Sequence, residues 1–256
     1  MPALDRLGPP PPRGLLLDID GTLLDGDRAI DGAPDAVARL GARGLSLRLL
    51  TNTSRQGRSD VGRRLRAAGL AIDDDAVLTP ALLARRMILE AGGSRAALFV
   101  TPEARVDLEG VEETRRRPDW VVLGDLGDAF THRTLSEAFR LVRDGARLVA
   151  LHRNPWWTPD GAAPMLDVGA YVAAIEAASG REALLVGKPA APFFSLALGA
   201  LGLPASDAVV VGDDAEADGR GGLGAGCRVV LVRTGRWDGR DAPEGALVVE
   251  SIADLA

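Results

Sequence analysis

An α/β fold, with a doubly wound parallel-sheet core and a second α/β domain inserted into it, is what this sequence predicts, and three observations carry the prediction. Four apolar runs each stop abruptly on polar residues: Leu15–Leu17 on Asp18-Ile19-Asp20-Gly21, Leu45–Leu50 on Thr51-Asn52-Thr53-Ser54, Ala183–Val186 on Gly187-Lys188-Pro189, and Ala208–Val211 on Gly212-Asp213-Asp214. A helical pattern separates the first two runs, the βαβ rhythm that gives a right-handed crossover onto a parallel neighbour. Between the second and third runs the alternation of helices and strands starts afresh, and its strand ends lack those polar tips. In a doubly wound sheet the carboxyl ends of the strands share one edge, where ligands bind. The four tips are therefore expected to converge.

Taken in order, residues 1–13 contain four consecutive prolines, Pro9 to Pro12, and no apolar periodicity, so they read as a flexible, partly polyproline tail. The core is expected over 14–78 and 181–256. Leu15 to Leu17 lack polar alternation, as a strand covered on both faces should. After it, Asp25-Gly26-Asp27 and Asp31-Gly32 punctuate a loop, and Pro34 opens a helix with Ala36, Val37 and Leu40 at helical spacing. Leu45–Leu50 is the second strand. A helix over about 59–68 ends at Gly69, a natural C-cap.

The inserted α/β domain is expected over 79–180. It holds a helix at Pro80–Ala91, strands at Ala96–Val100 and Trp120–Leu123, a helix at Thr134–Arg143, a strand at Leu148–Leu151 and a helix at Ala170–Ala178. The core then resumes with a strand at Leu184–Val186, a helix at Phe193–Leu201 and strands at Val209–Val211, Val229–Val232 and Leu247–Val249.

Composition narrows the function classes. With 256 residues and 46% hydrophobic content the chain can bury a full core. A formal net charge of −6 argues against nucleic acid as a general partner, since phosphate backbones need a basic footprint. Arg63-Arg64 and Arg115-Arg116-Arg117 accordingly read as solvated helix or loop faces. A single cysteine, Cys227, allows no internal disulfide, and no apolar stretch is long enough for a membrane span, so the expected location is the cytoplasm.

One basic residue stands apart. Lys188 is the only lysine among 30 Lys plus Arg, in a chain that writes arginine at the other 29 positions. One reading is that a compact point charge is needed where a planar fork does not fit; the other is chance, since rarity alone proves nothing. Asparagine is as sparse, occurring only as Asn52 and Asn154.

The converging tips suit phosphoryl transfer. Held in line with a phosphorus atom, the Asp18 carboxylate can form an acyl-phosphate. Its target is also negative, so a cation must neutralise both. Mg²⁺ suits carboxylate oxygens, and Asp18 and Asp213 supply them. In an extended strand Asp20 shares a face with Asp18 and can serve as general acid, then general base. Thr51 and Asn52 would donate hydrogen bonds to phosphoryl oxygens, and Lys188 would stabilise charge developing in the transition state.

Asp18-Ile19-Asp20-Gly21-Thr22, Thr51-Asn52, Gly187-Lys188-Pro189 and Gly212-Asp213-Asp214 with Asp218 resemble, in order, the four motifs of haloacid dehalogenase (HAD) superfamily phosphatases. The insert between the second and third is similar to that of subfamily IIA, the NagD-type phosphatases with a Rossmann-like core and an α/β cap. Ala138–Gly145 followed by Leu148–His152 most resembles the branch that includes phospholysine phosphohistidine inorganic pyrophosphate phosphatase. The resemblance implies Asp18 as nucleophile, Asp20 as acid/base that also gives its backbone carbonyl to Mg²⁺, Asp213 as metal ligand, and Asp214 and Asp218 in or near the shell behind these ligands. It further implies a homodimer through the cap. Within the cap, the loop His152–Gly161 is the candidate for substrate selection, with Asn154, Trp156 and Trp157 as its residues, whereas His152 reads as structural.

Two rivals are weighed. A nucleotide-cofactor-binding oxidoreductase would use Gly219-Arg220-Gly221-Gly222-Leu223-Gly224, which has G-x-G-x-x-G spacing but follows no strand directly and sits behind Asp213, Asp214, Glu216 and Asp218, where a pyrophosphate meets repulsion. Gly187-Lys188 also fails as a P-loop, because Glu182 stands at the first glycine and Pro189 at the hydroxyl position. The other rival is a noncatalytic binding protein of the same fold, against which the intact set of acids speaks. The expected reaction is Mg-dependent hydrolysis of a small phosphorylated substrate, a phosphate monoester, pyrophosphate or phosphoramidate, through an aspartyl-phosphate.

Overall fold

The leucine run at the start of the chain forms β1 (Gly14–Asp18), buried along its whole length. The computed structural model describes residues 2–92, 94–158, 163–235, 237 and 239–256. After β1 the chain makes a short antiparallel hairpin, β2 (Leu24–Asp25) and β3 (Arg28–Ala29), turning on Gly26 at φ 55. Helix α1 (Ala33–Ala42) carries Pro34 in its first turn and buries Ala33, Ala36, Val37 and Leu40. It feeds β4 (Ser46–Leu50), which α2 (Arg58–Ala67) connects to β5 (Val77–Leu78).

The middle of the chain runs α3 (Pro80–Glu90), β6 (Arg95–Phe99), α4 (Pro102–Arg105), β7 (Glu112–Glu113), β8 (Trp120–Leu123), α5 (His132–Arg143), β9 (Arg147–Ala150), the hairpin β10 (Trp156–Trp157) and β11 (Met165–Leu166), α6 (Val168–Ser179) and β12 (Leu184–Leu185). The last part is α7 (Ala191–Leu201), β13 (Ala208–Gly212), α8 (Gly221–Gly224), β14 (Arg228–Val232) and β15 (Ala246–Val249).

Two compact units result. One contains Met1–Thr51, Ser59–Leu78 and Lys188–Ala256. Its sheet has the order β15-β14-β13-β1-β4-β5, parallel throughout, which places β1 in the interior. Leu15, Leu17, Val209, Val211, Val230 and Val232 pack on one face against Val37, Leu40 and Val61 from the helices. The other unit contains Asn52–Arg58 and Thr79–Gly187, with a parallel sheet of order β12-β9-β8-β6-β7. Its core joins Val121, Leu123, Leu148 and Ala150 to Ala138 and Val142 of α5 and Val172 and Ile175 of α6.

The structure departs from expectation in several places, among them Asn52–Arg58, expected in the core and grouped with the inserted unit. Leu184–Leu185 was expected in the core sheet, but it pairs in parallel with β9 of the other sheet. Both flanks of β1 are already taken by β13 and β4. The N-terminal segment, expected as a free tail, is packed onto the core: Ala3–Leu7 forms a 3₁₀ helix that buries Ala3 and Leu4, and Arg228 Nη1 donates to the carbonyls of Gly8 (3.2 Å) and Pro10 (2.8 Å). Two apolar side chains and a carbonyl clamp fix a segment whose prolines hide the pattern. Leu4 is 1% exposed. Its replacement by Ala should therefore cost about 2–5 kcal/mol in a denaturant melt. A change under about 0.5 kcal/mol, the range of ordinary surface substitutions, would show that the segment is not held.

Candidate active site

Strand register builds the site at one edge of the first unit. Asp18 is the last residue of β1 and lies level with Leu50 of β4, and Leu17 pairs with Val211 of β13. Thr51 and Asp213 therefore each begin just past the sheet on either side of Asp18. This edge is the carboxyl end of a doubly wound sheet, where loops leave the strands and polar groups gather. Thr51 is buried at the end of β4, with its backbone N–H donating to the Leu78 carbonyl (3.3 Å).

Lys188 joins this edge from a distant part of the chain. Its Nζ donates to Asp18 Oδ1 at 2.5 Å and to Asp218 Oδ1 at 2.6 Å, and the three side chains are almost entirely buried. Burial works to lower the ammonium's pKa, but the charges of Asp18 and Asp218 outweigh it and hold Lys188 well above its ordinary value. Burial pushes Asp218 up to about 7; Lys188 pulls against this, while the charges of Asp18 and Asp214 add to it. Asp18 Oδ2 also accepts from the Thr22 hydroxyl at 3.3 Å.

Asp213 is placed by glycines. A Cβ built on Gly21 would stand 2.3 Å from Asp213 Oδ2, and one on Gly235 would stand 2.0 Å from the same oxygen. Gly21 also has φ +89, a conformation other residues rarely adopt. The Thr234 hydroxyl donates to the Gly21 carbonyl at 2.7 Å, tying the two loops together. Asp214 turns away and caps the π-helical turn over 215–220, accepting from the N–H groups of Glu216 and Ala217, both at 2.8 Å. Asp218, on that turn, accepts from the Asp214 N–H at 3.3 Å through Oδ2.

Asp20 does not join the carboxylate group through its side chain. The strand ends at Asp18, so the two-residue alternation that puts Asp18 and Asp20 on one face stops there. The Asp20 carboxylate pairs with Arg64 of α2. Arg64 was expected on a solvated face, yet its side chain is only 18% exposed. Sequence reasoning placed Thr22 in the first motif without a role, and missed Thr234 and Gly235. The last two carried a usable signal, because Val229–Val232 is one more apolar run ending on polar residues and a glycine.

In the second unit Asn52 is half-buried and its Oδ1 borders Gly187, where an added Cβ would stand 2.7 Å from it. The selection loop supplies β10, which pairs with β11 beyond it; Trp156 is 59% exposed, Trp157 and Asn154 are half-buried, and Pro159, Asp160 and Gly161 lie outside the described residues. His152 is buried: its Nε2 lies 3.0 Å from the Ser54 hydroxyl and its Nδ1 accepts from the Asn154 N–H at 3.3 Å. An acceptor at Nδ1 puts the hydrogen on Nε2, so this ring is no base for Ser54.

Asp18, Asp213 and Asp218 each offer a carboxylate oxygen within 4.8 Å of the others, and all three are buried. Three acids around one lysine form a hard, oxygen-rich donor set with excess negative charge, which fits a magnesium-like divalent cation. Three of the four glycines of 219–224 are close-packed: added Cβ atoms would meet Pro243 at Gly219, Phe194 at Gly221, and Val210 and Val229 at Gly222, whereas one at Gly224 would meet nothing within 4 Å. No helix among the described residues is long and apolar enough to cross a membrane.

Comparison with known proteins places the chain in a family. Residues 15–112 match the family described as haloacid dehalogenase-like hydrolase, and residues 185–255 match the one described as HAD-hydrolase-like. Haloacid dehalogenase-like hydrolase domain-containing protein 2 of Bos taurus is 36% identical over 230 residues, 90% of this chain and 87% of that protein. Phospholysine phosphohistidine inorganic pyrophosphate phosphatase of Homo sapiens is 36% identical over 231 residues, 88% of this chain and 84% of its own length. Among solved structures, glycerol phosphate phosphatase from Mycobacterium tuberculosis in complex with magnesium superposes with a TM-score of 0.84 at 27% identity, covering 95% of this chain and 76% of that one.

Proposed function

We propose a magnesium-dependent, two-step mechanism on one premise: the chain belongs to the haloacid dehalogenase-like hydrolase family and is a phosphatase. The observation that carries the mechanism is the buried lysine shared by Asp18 and Asp218, beside Asp213, at the ends of adjacent strands. Asp18 attacks the phosphorus in line; its oxygen–phosphorus bond forms as the bond to the leaving oxygen breaks, and Asp20 gives that oxygen a proton. A water then attacks the same phosphorus and yields a proton to Asp20, which frees Asp18 and releases inorganic phosphate. Lys188 balances the charge that builds up on the phosphoryl oxygens, and Thr51 and Asn52 donate hydrogen bonds to them.

Asp18 and Asp213, with the backbone carbonyl of Asp20, would hold Mg²⁺. When bound, the ion supplies Lewis acidity and charge neutralisation at the phosphoryl group. Charge stabilisation of that kind is worth several kcal/mol, so EDTA should lower p-nitrophenyl phosphate turnover by at least about 10²-fold, with recovery on adding excess Mg²⁺. Turnover untouched by EDTA would reject the metal-dependent reading.

The substrate class is a small phosphorylated compound: a monoester, pyrophosphate or phosphoramidate. Asn154, Trp156 and Trp157 of the inserted unit are assigned to its selection, supported by an indole left largely in water, an uncommon place for so large an apolar group. A panel of phosphorylated metabolites, read by phosphate release, ranks the candidates. Pairing of two chains through the inserted unit belongs to the same proposal and is read by light scattering. Action in the cytoplasm fits a chain whose one cysteine is buried.

A further inference from the structure

Three neighbouring arginines on α2 are used differently. Arg63 pairs with Asp60 of its own helix at 2.7 Å with its side chain 72% exposed, and Arg66 pairs with Asp74 at 2.7 Å. Arg64 is drawn inward. Its Nη2 bonds Asp20 Oδ1 and, at 2.9 Å, the Gly26 carbonyl; its Nε reaches the same carbonyl at 3.3 Å and Asp27 Oδ1 at 3.2 Å. One guanidinium thus ties α2, the turn of the β2–β3 hairpin and the Asp20 carboxylate together. A lysine has the charge for this but not the fork.

Asp20 needs such a tie. Its side chain is 50% exposed, so packing does little to choose its rotamer, and among the described residues Arg64 is the cation paired with it. A general acid works only within hydrogen-bond reach of the atom it serves, about 2.6–3.2 Å. A misplacement of about 1 Å can cost roughly 10²-fold in rate.

We propose that Arg64 is a positioning residue for proton transfer: it aims the Asp20 carboxylate and anchors it to the hairpin turn. The inference rests on Asp20 being the acid/base. The proton still moves between Asp20 and the leaving oxygen, then between water and Asp20, and Arg64 exchanges none. Its loss therefore hurts most where the leaving group depends most on being protonated.

The test compares kcat/KM for p-nitrophenyl phosphate, whose phenolate departs readily, with that for phenyl phosphate, a poorer leaving group, in wild type, Arg64→Met, Arg64→Lys and Asp20→Asn. Arg64→Met should lose at least about tenfold more on phenyl phosphate than on p-nitrophenyl phosphate. Arg64→Lys should recover part of the difference, and Arg64→Met added to Asp20→Asn should cost little more than Asp20→Asn alone. Equal losses on both substrates, or additive losses in the double variant, would overturn the proposal. If Asp20→Asn itself shows no leaving-group dependence, the acid/base assignment falls and the proposal with it; dependence in Asp20→Asn without dependence in Arg64→Met rejects Arg64 alone. Circular dichroism melts accompany the kinetics. Should Arg64→Met fail to fold, Arg64→Gln, which keeps a donor for Gly26, enters the same comparison.

Discussion

Asp18→Asn should abolish phosphatase turnover while leaving a folded protein. The amide has the size and shape of the carboxylate but no nucleophilic oxygen, so no acyl-phosphate forms on it. Loss of a covalent nucleophile typically costs about four to six orders of magnitude in kcat. Stability should change far less. Lys188 keeps Asp218 at 2.6 Å, so no buried cation is stranded, and removing the Asp18 charge takes away one of the influences that raise Asp218. The check is single-turnover assay with p-nitrophenyl phosphate together with a thermal melt. Residual turnover above about one per cent of wild type in a folded Asp18→Asn protein would rule out the covalent route.

Lys188→Ala should fail in both respects. It leaves Asp18 and Asp218 buried without the ammonium between them, and breaking a buried pair by removing one partner costs about 3–5 kcal/mol. For a chain of this size that corresponds to a melting temperature lower by roughly 6–20 °C. In the proposed mechanism the same loss removes the charge that would steady the phosphoryl oxygens. Added Mg²⁺ should return part of the stability, because a divalent cation can replace some of the missing positive charge, but it should not return activity. An unchanged melting temperature would mean that the acids do not depend on Lys188. Lys188→Arg is the sharper variant: it keeps the charge, so if it behaved like wild type, the reason for a lone lysine in an arginine-rich chain would disappear.

The sequence was most readable where chemistry forces composition. Unalternating runs such as Leu15–Leu17 and Val209–Val211 announced buried parallel strands, and their ends announced the edge where Asp18, Asp213 and Lys188 gather, because a strand enclosed on both faces leaves only its tip for polar groups. Lys188 was visible by contrast with 29 arginines. Arg64 was invisible for the same reason, since in this chain an arginine is the ordinary basic residue. Leu184–Leu185 carries the apolar signal of either sheet, and only pairing with β9 decides between them. Val77–Leu78 is too short to show a period. The docking of Leu4 depends on partners distant in the sequence, which a run of prolines conceals.

The slot around Asp213 is made by atoms that are missing. Gly21 and Gly235 contribute no side chain, and the carboxylate occupies the space where one would begin. The aim of a charged group is thus encoded in what two distant positions omit, so residues with no chemistry of their own constrain the sequence as tightly as the acid they flank.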